Sequence, residues 1–379
     1  MSGMHPSELT QSLKTEATRL GFALSGACPA VSPVGFERFT QWLDAGYAGE
    51  MRYLEDRRPA YQHPGSVLAD VSSLLMLGMH YQTVAPNLGG PGTGRIASYA
   101  WGQADYHDLV HQRLKELKKF VQQIDANIQV RGVVDTAPLL EREFAELAGI
   151  GWKAKNTLLI NKHSGSFFFL AALLLDVELD YDSPVQSDHC GTCTACLDAC
   201  PTDAFVQPHV LDATRCISYL TIEHQSAIPI ELRSKMGNWI LGCDVCQEVC
   251  PWNRKAPRSV EDAFEPREGQ NPLDLRALFS LTDDEFRSRF RKTPLWRPKR
   301  RGILRNAAIA LGNQPDRDNV PALAIGLNDE EPLIRGASAW ALGCHPIGLT
   351  RRILESRGNI EPDSEVCREI EDAIAFQSS

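Results

Sequence analysis

Eight cysteines packed between positions 190 and 250 limit this chain more than any other feature, because thiols at that density either ligate metal or pair as disulfides. Cys190, Cys193, Cys196 and Cys200 are followed by Pro201, the C-x2-C-x2-C-x3-C-P run of bacterial two-cluster ferredoxins, whose fourth thiolate ligates the other cluster. A second run, Cys243, Cys246 and Cys250 before Pro251, lacks one leading cysteine, and Cys216 supplies the missing ligand from elsewhere. The crossover rule assigns Cys190, Cys193, Cys196 and Cys250 to one [4Fe-4S] cluster and Cys200, Cys216, Cys243 and Cys246 to the other. Zinc fits less well, since the triplet crowds too many thiolates around one tetrahedral ion. Disulfides require an oxidising compartment, and residues near the N-terminus show no charged, apolar and small-residue leader. The expectation is a cytoplasmic protein that moves single electrons. Cys28, Cys344 and Cys367 lack ligand partners and read as small hydrophobes.

The chain is 379 residues long, enough for two or three domains, and its 43% hydrophobic and 23% charged residues suit a folded protein. The longest apolar stretch, residues 167–176, is too short to span a bilayer. A net charge of −9 argues against wholesale nucleic-acid binding, yet residues 291–305 (RKTPLWRPKRRGILR) carry seven Lys or Arg and no acid. Arg297, Lys299, Arg300, Arg301 and Arg305 are therefore candidate phosphate contacts, with Trp296 available to stack and Arg287, Arg289 and Arg291 extending the patch. The alternative is a solvated helix face.

Helical spacing of Leu9, Leu13, Ala17 and Leu20 predicts a helix over residues 7–20 capped by Ser7, and a strand is expected over 22–27. Strand-like runs at 73–81 and 128–134 alternate with helical patterns at 106–124 and 138–148, which argues an α/β domain. Residues 157–161 and 166–175 read as a hairpin around a polar turn. The cysteine region is loop-rich. Beyond a Pro- and charge-rich stretch at 256–271, Ala310-Leu-Gly312 and Ala341-Leu-Gly343 end two similar helices, a spacing near that of HEAT-like repeats, with a plain helical bundle as the alternative. The expected division is an α/β domain at 1–180, a ferredoxin-like domain at 181–257 and a helical domain at 258–379. Asp135 ends an apolar strand; it either faces a ligand crevice or caps the next helix.

The segments Y99-A-W-G-Q-A-D-Y-H107, V134-D-T-A-P-L-L-E-R142, G151-W-K-A-K-N-T157 and R215-C-I-S-Y-L-T-I-E223, with the cysteine array, resemble the epoxyqueuosine reductase family, and the resemblance runs nearly the full length. The family usually has glycine where Ala154 stands, and a short insertion separates Gly102 from Asp105; both touch loop geometry rather than chemistry. The resemblance implies an oxidoreductase acting on the wobble nucleoside of tRNAs with GUN anticodons, with cobalamin and two [4Fe-4S] clusters as cofactors and an external electron donor. It implies a cobalamin-binding first domain and a tRNA-binding helical domain. It makes Asp135 the catalytic acid, places Arg58, Tyr106, His107, Lys155 and Asn156 in the matched elements as candidate corrin contacts, and turns the basic run toward tRNA. Ser218, Gly242 and Cys243 join the candidate cobalamin residues, Gly242 because its missing side chain allows close approach. The chain has no D-x-H-x-x-G corrinoid motif, which fits a family without a protein histidine on cobalt. Rival readings are a corrinoid reductive dehalogenase, a ferredoxin-type electron carrier and a cluster-stabilised RNA-binding scaffold. No coiled coil stands out, and a monomer is expected.

Overall fold

A computed structural model of the chain describes residues 4–345 and 348–378. Its first layer is a four-stranded sheet in the order Leu24–Pro29, Ser73–His80, Phe168–Leu175, Val130–Val134. The mixed α/β content expected of residues 1–180 is present, but every pair in this sheet is antiparallel. Phe168–Leu175 (FFLAALLL) is the reason. It is apolar on both faces, so it needs neighbours on both sides, and it inserts between Ser73–His80 and Val130–Val134. The hairpin expected at 157–175 is thereby undone: Leu159–Ile160 pairs instead with Trp152–Lys153, and a lone bridge between Asn161 and Gly165 closes the polar turn.

Successive side chains of Ser73–His80 alternate between two cores. Leu75 and Leu77 face the helices Pro6–Arg19 and Tyr106–Ile124 through Leu9, Leu13, Val110, Leu114 and Leu117. Leu74 and Met76 face Phe144 and Ala145 of the helix Glu141–Leu147. That helix starts three residues later than its apolar pattern suggests, and Asp135 is not its cap: Leu140 holds the N-cap position. The first helix begins at Pro6, where a missing N–H costs nothing, and His5 rather than Ser7 caps it by accepting the Ser7 N–H.

The second layer ignores the boundary expected at 257. Trp239–Leu241 pairs in parallel with Thr93–Ile96, and Leu273–Asp274 pairs with the same strand antiparallel. One continuous core joins residues 96–101, 213–241 and the helices Lys299–Gly312, Pro332–Gly343 and Ser364–Phe376. The two helix-ending glycines have a packing cause. A Cβ on Gly312 would lie 2.9 Å from the Ala341 Cα, and one on Gly343 would lie 2.9 Å from the Ala373 Cα, so each glycine lets the next helix approach.

Arg305 corrects the reading of the basic run. It is 1% exposed, and its guanidinium donates to the carbonyls of Leu220 (2.6 Å), His224 (2.7 Å) and Ser226 (2.7 Å). Asn306 donates to Thr221 O and Ile240 O, both at 2.9 Å. These two side chains staple Lys299–Gly312 to the helix Ile217–Ile222 that follows Cys216. Arg305 is therefore an internal donor, not a tRNA contact. Arg305→Ala leaves three buried carbonyls without their donor and should destabilise the fold by about 3 kcal/mol, read as a lowered thermal unfolding midpoint.

Candidate active site and cluster region

The thiols that act on one another lie mainly within the two sets that the spacing proposes. Burial raises the Cys196 thiol to about 11, and the neighbours that push it further are Cys190, Cys250 and Cys193. Cys246 is raised by burial and by Cys216 and Cys200, and Cys243 by burial and by Cys216 and Cys246. Cys196 also acts on Cys246, so the sets adjoin. Main-chain N–H groups offset the burial: those of Tyr219 and Ser218 point at Cys216, that of Val245 at Cys243, those of Trp252 and Asn253 at Cys250, and the Ala204 N–H reaches Cys200 Sγ at 3.4 Å. Donors aimed at sulfur are what a cluster-bound thiolate needs, so the residues fit the clusters that the spacing implies. Cys28, by contrast, is buried near the Phe144 carbonyl with its thiol pushed up to about 12.

Two expected corrin contacts serve this region instead. Lys155 Nζ donates to Gly191 O (2.6 Å) and Cys193 O (3.0 Å), and buried Asn156 donates to Cys246 O (3.3 Å). Arg58 is tied to Asp44 and Glu55 at 2.5 and 2.7 Å on the surface. Gly242 has φ +66°, and the place of its absent Cβ is taken by Ala97 Cβ at 2.5 Å and Tyr99 Cε1 at 3.2 Å, so the fold itself demands glycine there.

Asp135, Tyr106 and His107 do come together. Asp135 follows the strand Val130–Val134 with φ +27°, a conformation an aspartate adopts only under constraint. The Tyr106 hydroxyl donates to its Oδ2, and His107 Nε2 lies 2.8 Å from its Oδ1. His107 Nδ1 is 2.6 Å from Asp105, the N-cap of Tyr106–Ile124, so both imidazole nitrogens are engaged. Burial lowers the imidazole, but hydrogen bonds and charge from Asp105 and Asp135 outweigh it and raise the group to about 9. Burial raises Asp135, yet His107, Tyr106 and Arg297 hold it below the usual carboxylate range. At neutral pH the pair is imidazolium and carboxylate.

Groups from both layers surround this pair. Tyr106 stacks on Phe169 at 4.0 Å between ring centres and meets Tyr99 edge-on at 5.9 Å. Arg297 pairs with Glu223 at 2.7 Å and is felt by Tyr53 and Asp135. Cys243 is chained to the pair through Gly242, Tyr99 and Tyr106, and Ser218 lies in the helix that starts at Cys216. The sequence reading passed over Tyr53, Tyr99 and Asp105; the last two lie in the matched Y-A-W-G-Q-A-D-Y-H segment, and an aspartate one residue before a helical pattern is an N-cap signal.

The remaining basic residues divide. Arg300 is held bidentate by Asp329 at 2.6 and 3.2 Å and meets Asp283 at 3.1 Å, Arg301 meets Glu331 at 3.4 Å, and Lys299 sits over the Trp296 ring at 4.3 Å. A separate groove of about 540 Å³ is lined by Arg267, Arg287, Arg289, Arg291 and Lys292, beside Gln103 and Asp284. Among the described residues no helix is long and apolar enough to cross a membrane.

Residues 189–253 match the family described as a 4Fe-4S double cluster binding domain, and residues 62–136 match epoxyqueuosine reductase QueG, DUF1730. The chain is 40% identical over 350 residues to the epoxyqueuosine reductase of Pseudomonas aeruginosa, covering 91% of this chain and 97% of that one. It superposes with a TM-score of 0.91 and 32% identity on a crystal structure of epoxyqueuosine reductase with an epoxyqueuosine-modified tRNA-Tyr stem loop, covering 98% of this chain and 99% of that one. A structure of the Bacillus subtilis epoxyqueuosine reductase, described with its aspartate catalytic loop swung out of the active site, matches with a TM-score of 0.89 and 31% identity over 97% and 99% of the two chains.

Two outcomes follow from this geometry. Cys216→Ser should cost the chain one cluster and roughly halve its bound iron, measured by iron analysis of anaerobically purified protein. His107, ordinarily near 6.5, should remain an imidazolium until the pH rises through about 9. The stability it lends the Asp135 turn is complete below its ordinary value and lost across that window. Histidine NMR titration checks this, and Asp135→Asn should move the titration to lower pH.

Proposed function

The chain belongs to the epoxyqueuosine reductase family, and from that premise we propose that it reduces epoxyqueuosine to queuosine at the wobble position of tRNAs with GUN anticodons. The observation that carries the reading is Asp135, held by Tyr106 and His107 and chained through Tyr99 and Gly242 to the proposed cluster ligand Cys243. An electron carrier has no use for such a carboxylate. Converting an epoxide to an alkene takes two electrons and two protons and releases water. The thiolate clusters pass electrons singly from an external donor, and Asp135 delivers the proton to the leaving oxygen. Because Asp135 rests as a carboxylate, the proton it delivers comes from the neighbouring imidazolium of His107.

The chemistry expected of cobalamin here is electron delivery into a carbon–oxygen bond, which thiolate clusters do poorly alone. The surroundings of Asp135 suit it: Tyr53, Tyr99 and the cation of Arg297 lie near the carboxylate, and both nitrogens of His107 are engaged and so do not compete for cobalt. Tyr106, His107, Asp135, Ser218 and the main chain at Gly242 and Cys243 are the residues proposed to hold it. We take the Asp135 turn as the counterpart of the catalytic aspartate loop that is swung out of the active site in the Bacillus subtilis enzyme. Here its inward position rests on the bonds from Tyr106 and His107.

For tRNA we propose Arg297 and Lys299 at the mouth of the site and the groove of Arg287, Arg289, Arg291 and Lys292, with Arg300 and Arg301 contributing less because their charges are matched by acids. The helices Lys299–Gly312 and Pro332–Gly343, with their partners, form the HEAT-like unit proposed to carry this surface. A cytoplasmic monomer suits such a substrate.

Anaerobic single turnover with cobalamin, a chemical reductant and epoxyqueuosine-containing tRNA should remove one oxygen mass from the nucleoside. Asp135→Asn should slow that step by about 100-fold or more with cluster and corrin spectra unchanged; loss of corrin binding instead makes Asp135 structural. Arg287→Ala with Arg291→Ala should weaken tRNA binding and reduce its salt slope by about 2. An unchanged slope removes the groove from the interface.

A further inference from the structure

We propose that Arg57 is a positioning residue for the catalytic acid: its guanidinium latches the main chain of the Asp135 turn and so keeps the carboxylate between Tyr106 and His107. The inference rests on the reductase reading given above, in which Asp135 is the acid.

The turn has two kinds of anchor, and they come from different elements. Tyr106 and His107, both on the helix Tyr106–Ile124, hold the Asp135 side chain. The main chain beside it needs a separate restraint. Thr136 turns its N–H and its hydroxyl back onto the Val134 carbonyl, and the Leu139 N–H donates to the Ala137 carbonyl at 2.8 Å, so those bonds close within the turn itself. Arg57 reaches the turn from outside: its Nη1 donates to the Thr136 carbonyl at 3.0 Å, across 79 residues of chain. That carbonyl lies one residue beyond Asp135, whose φ of +27° is the strained point of the turn. A bond there restrains the main chain whose torsions aim the carboxylate.

Arg57 projects from a segment that is itself braced. It lies at the junction of the short helix Arg52–Asp56 and the turn Arg58–Gln62. The next residue, Arg58, pairs with Asp44 and Glu55 at 2.5 and 2.7 Å, and buried Tyr61 sets its ring 4.8 Å from that of Phe39. Asp44 and Phe39 both belong to the helix Phe36–Asp44, so the junction is tied to a regular element and the Arg57 side chain has a fixed base. One hydrogen bond from an exposed guanidinium to a carbonyl changes a two-state equilibrium severalfold and no more. That is enough to bias the turn inward without locking it.

His107 reports whether the latch acts as described, because two causes move it in opposite directions. A loosened turn takes the Asp135 carboxylate away from the imidazole and lowers its titration, whereas removing a cation alone raises it.

The test has two arms on the full-length, cluster-loaded protein. In histidine NMR titration, Arg57→Ala should move the His107 midpoint from about 9 to lower pH, and Arg57→Lys, which keeps a donor and the charge, should restore it. Arg57→Ala should lower the midpoint no further once Asp135→Asn is present. This arm needs no tRNA: if the unmodified protein reduces no epoxide, the reductase reading fails while the titration still decides the latch. In single turnover at saturating epoxyqueuosine-containing tRNA, Arg57→Ala should slow oxygen loss by roughly three- to tenfold with tRNA affinity unchanged, and Arg57→Lys should recover most of the rate. A His107 midpoint that is unmoved or raised in Arg57→Ala overturns the proposal, as does an Arg57→Ala enzyme with full rate at saturation. A loss confined to tRNA affinity makes Arg57 a phosphate contact and overturns it as well.

Discussion

In the proposed ligation Cys250 joins Cys190, Cys193 and Cys196, while Cys200 joins Cys216, Cys243 and Cys246, so neither run can move without the other. Burial raises the Cys196 and Cys243 thiols, which makes ligation itself part of the folding free energy. The consequence reaches beyond the clusters. Fixing Cys243 fixes Trp239–Leu241 beside Thr93–Ile96, and that pairing lays Gly242 on Tyr99. Tyr99 meets Tyr106, and Tyr106 holds Asp135. The acid and the electron path are positioned by one chain of contacts.

The helical layer braces the same point from the other side. Arg305 and Asn306 satisfy carbonyls of the turn that begins at Cys216, and Arg297 on the preceding segment reaches Glu223. A helix that is apolar nearly all round from Gly302 to Gly312 needs such polar anchors to fix its rotation, because its hydrophobic surface alone specifies no unique face. Burying a guanidinium is costly in general, and here three carbonyl acceptors offset it.

What could be read from the residues alone follows from how local each signal is. The helix Tyr106–Ile124 and the strand at Ser73 carry their periodicity and caps within themselves, and the spacing of the thiols carries the ligand sets. The glycines at 312 and 343 were visible as a repeat, although their cause, the close approach of Ala341 and Ala373, lies in other helices. Strand order was not legible, because an antiparallel partner for Phe168–Leu175 is chosen among residues up to a hundred positions away. Nor was the fate of the basic run. Arg297 and Arg305 look alike in sequence, and only the carbonyls of Leu220, His224 and Ser226 distinguish a cation near Asp135 from a buried staple. Nor were the partners of Lys155 and Asn156, which are main-chain carbonyls of the cluster loops and carry no side-chain signature.

The backbone at Asp135 ties these threads to chemistry. A positive φ on an aspartate costs on the order of 1–3 kcal/mol, and the helix that follows starts too late to repay it through an N-cap bond. The offset comes from Tyr106 and His107, and the His107 contribution depends on the imidazole carrying a proton. When that proton leaves, the ion pair that holds the turn weakens. Asp135 is therefore most firmly seated while a proton is available beside it, and least firmly once the proton is spent. In the proposed mechanism protonation and position of the acid are one variable, because the residue proposed to feed Asp135 also holds it in place.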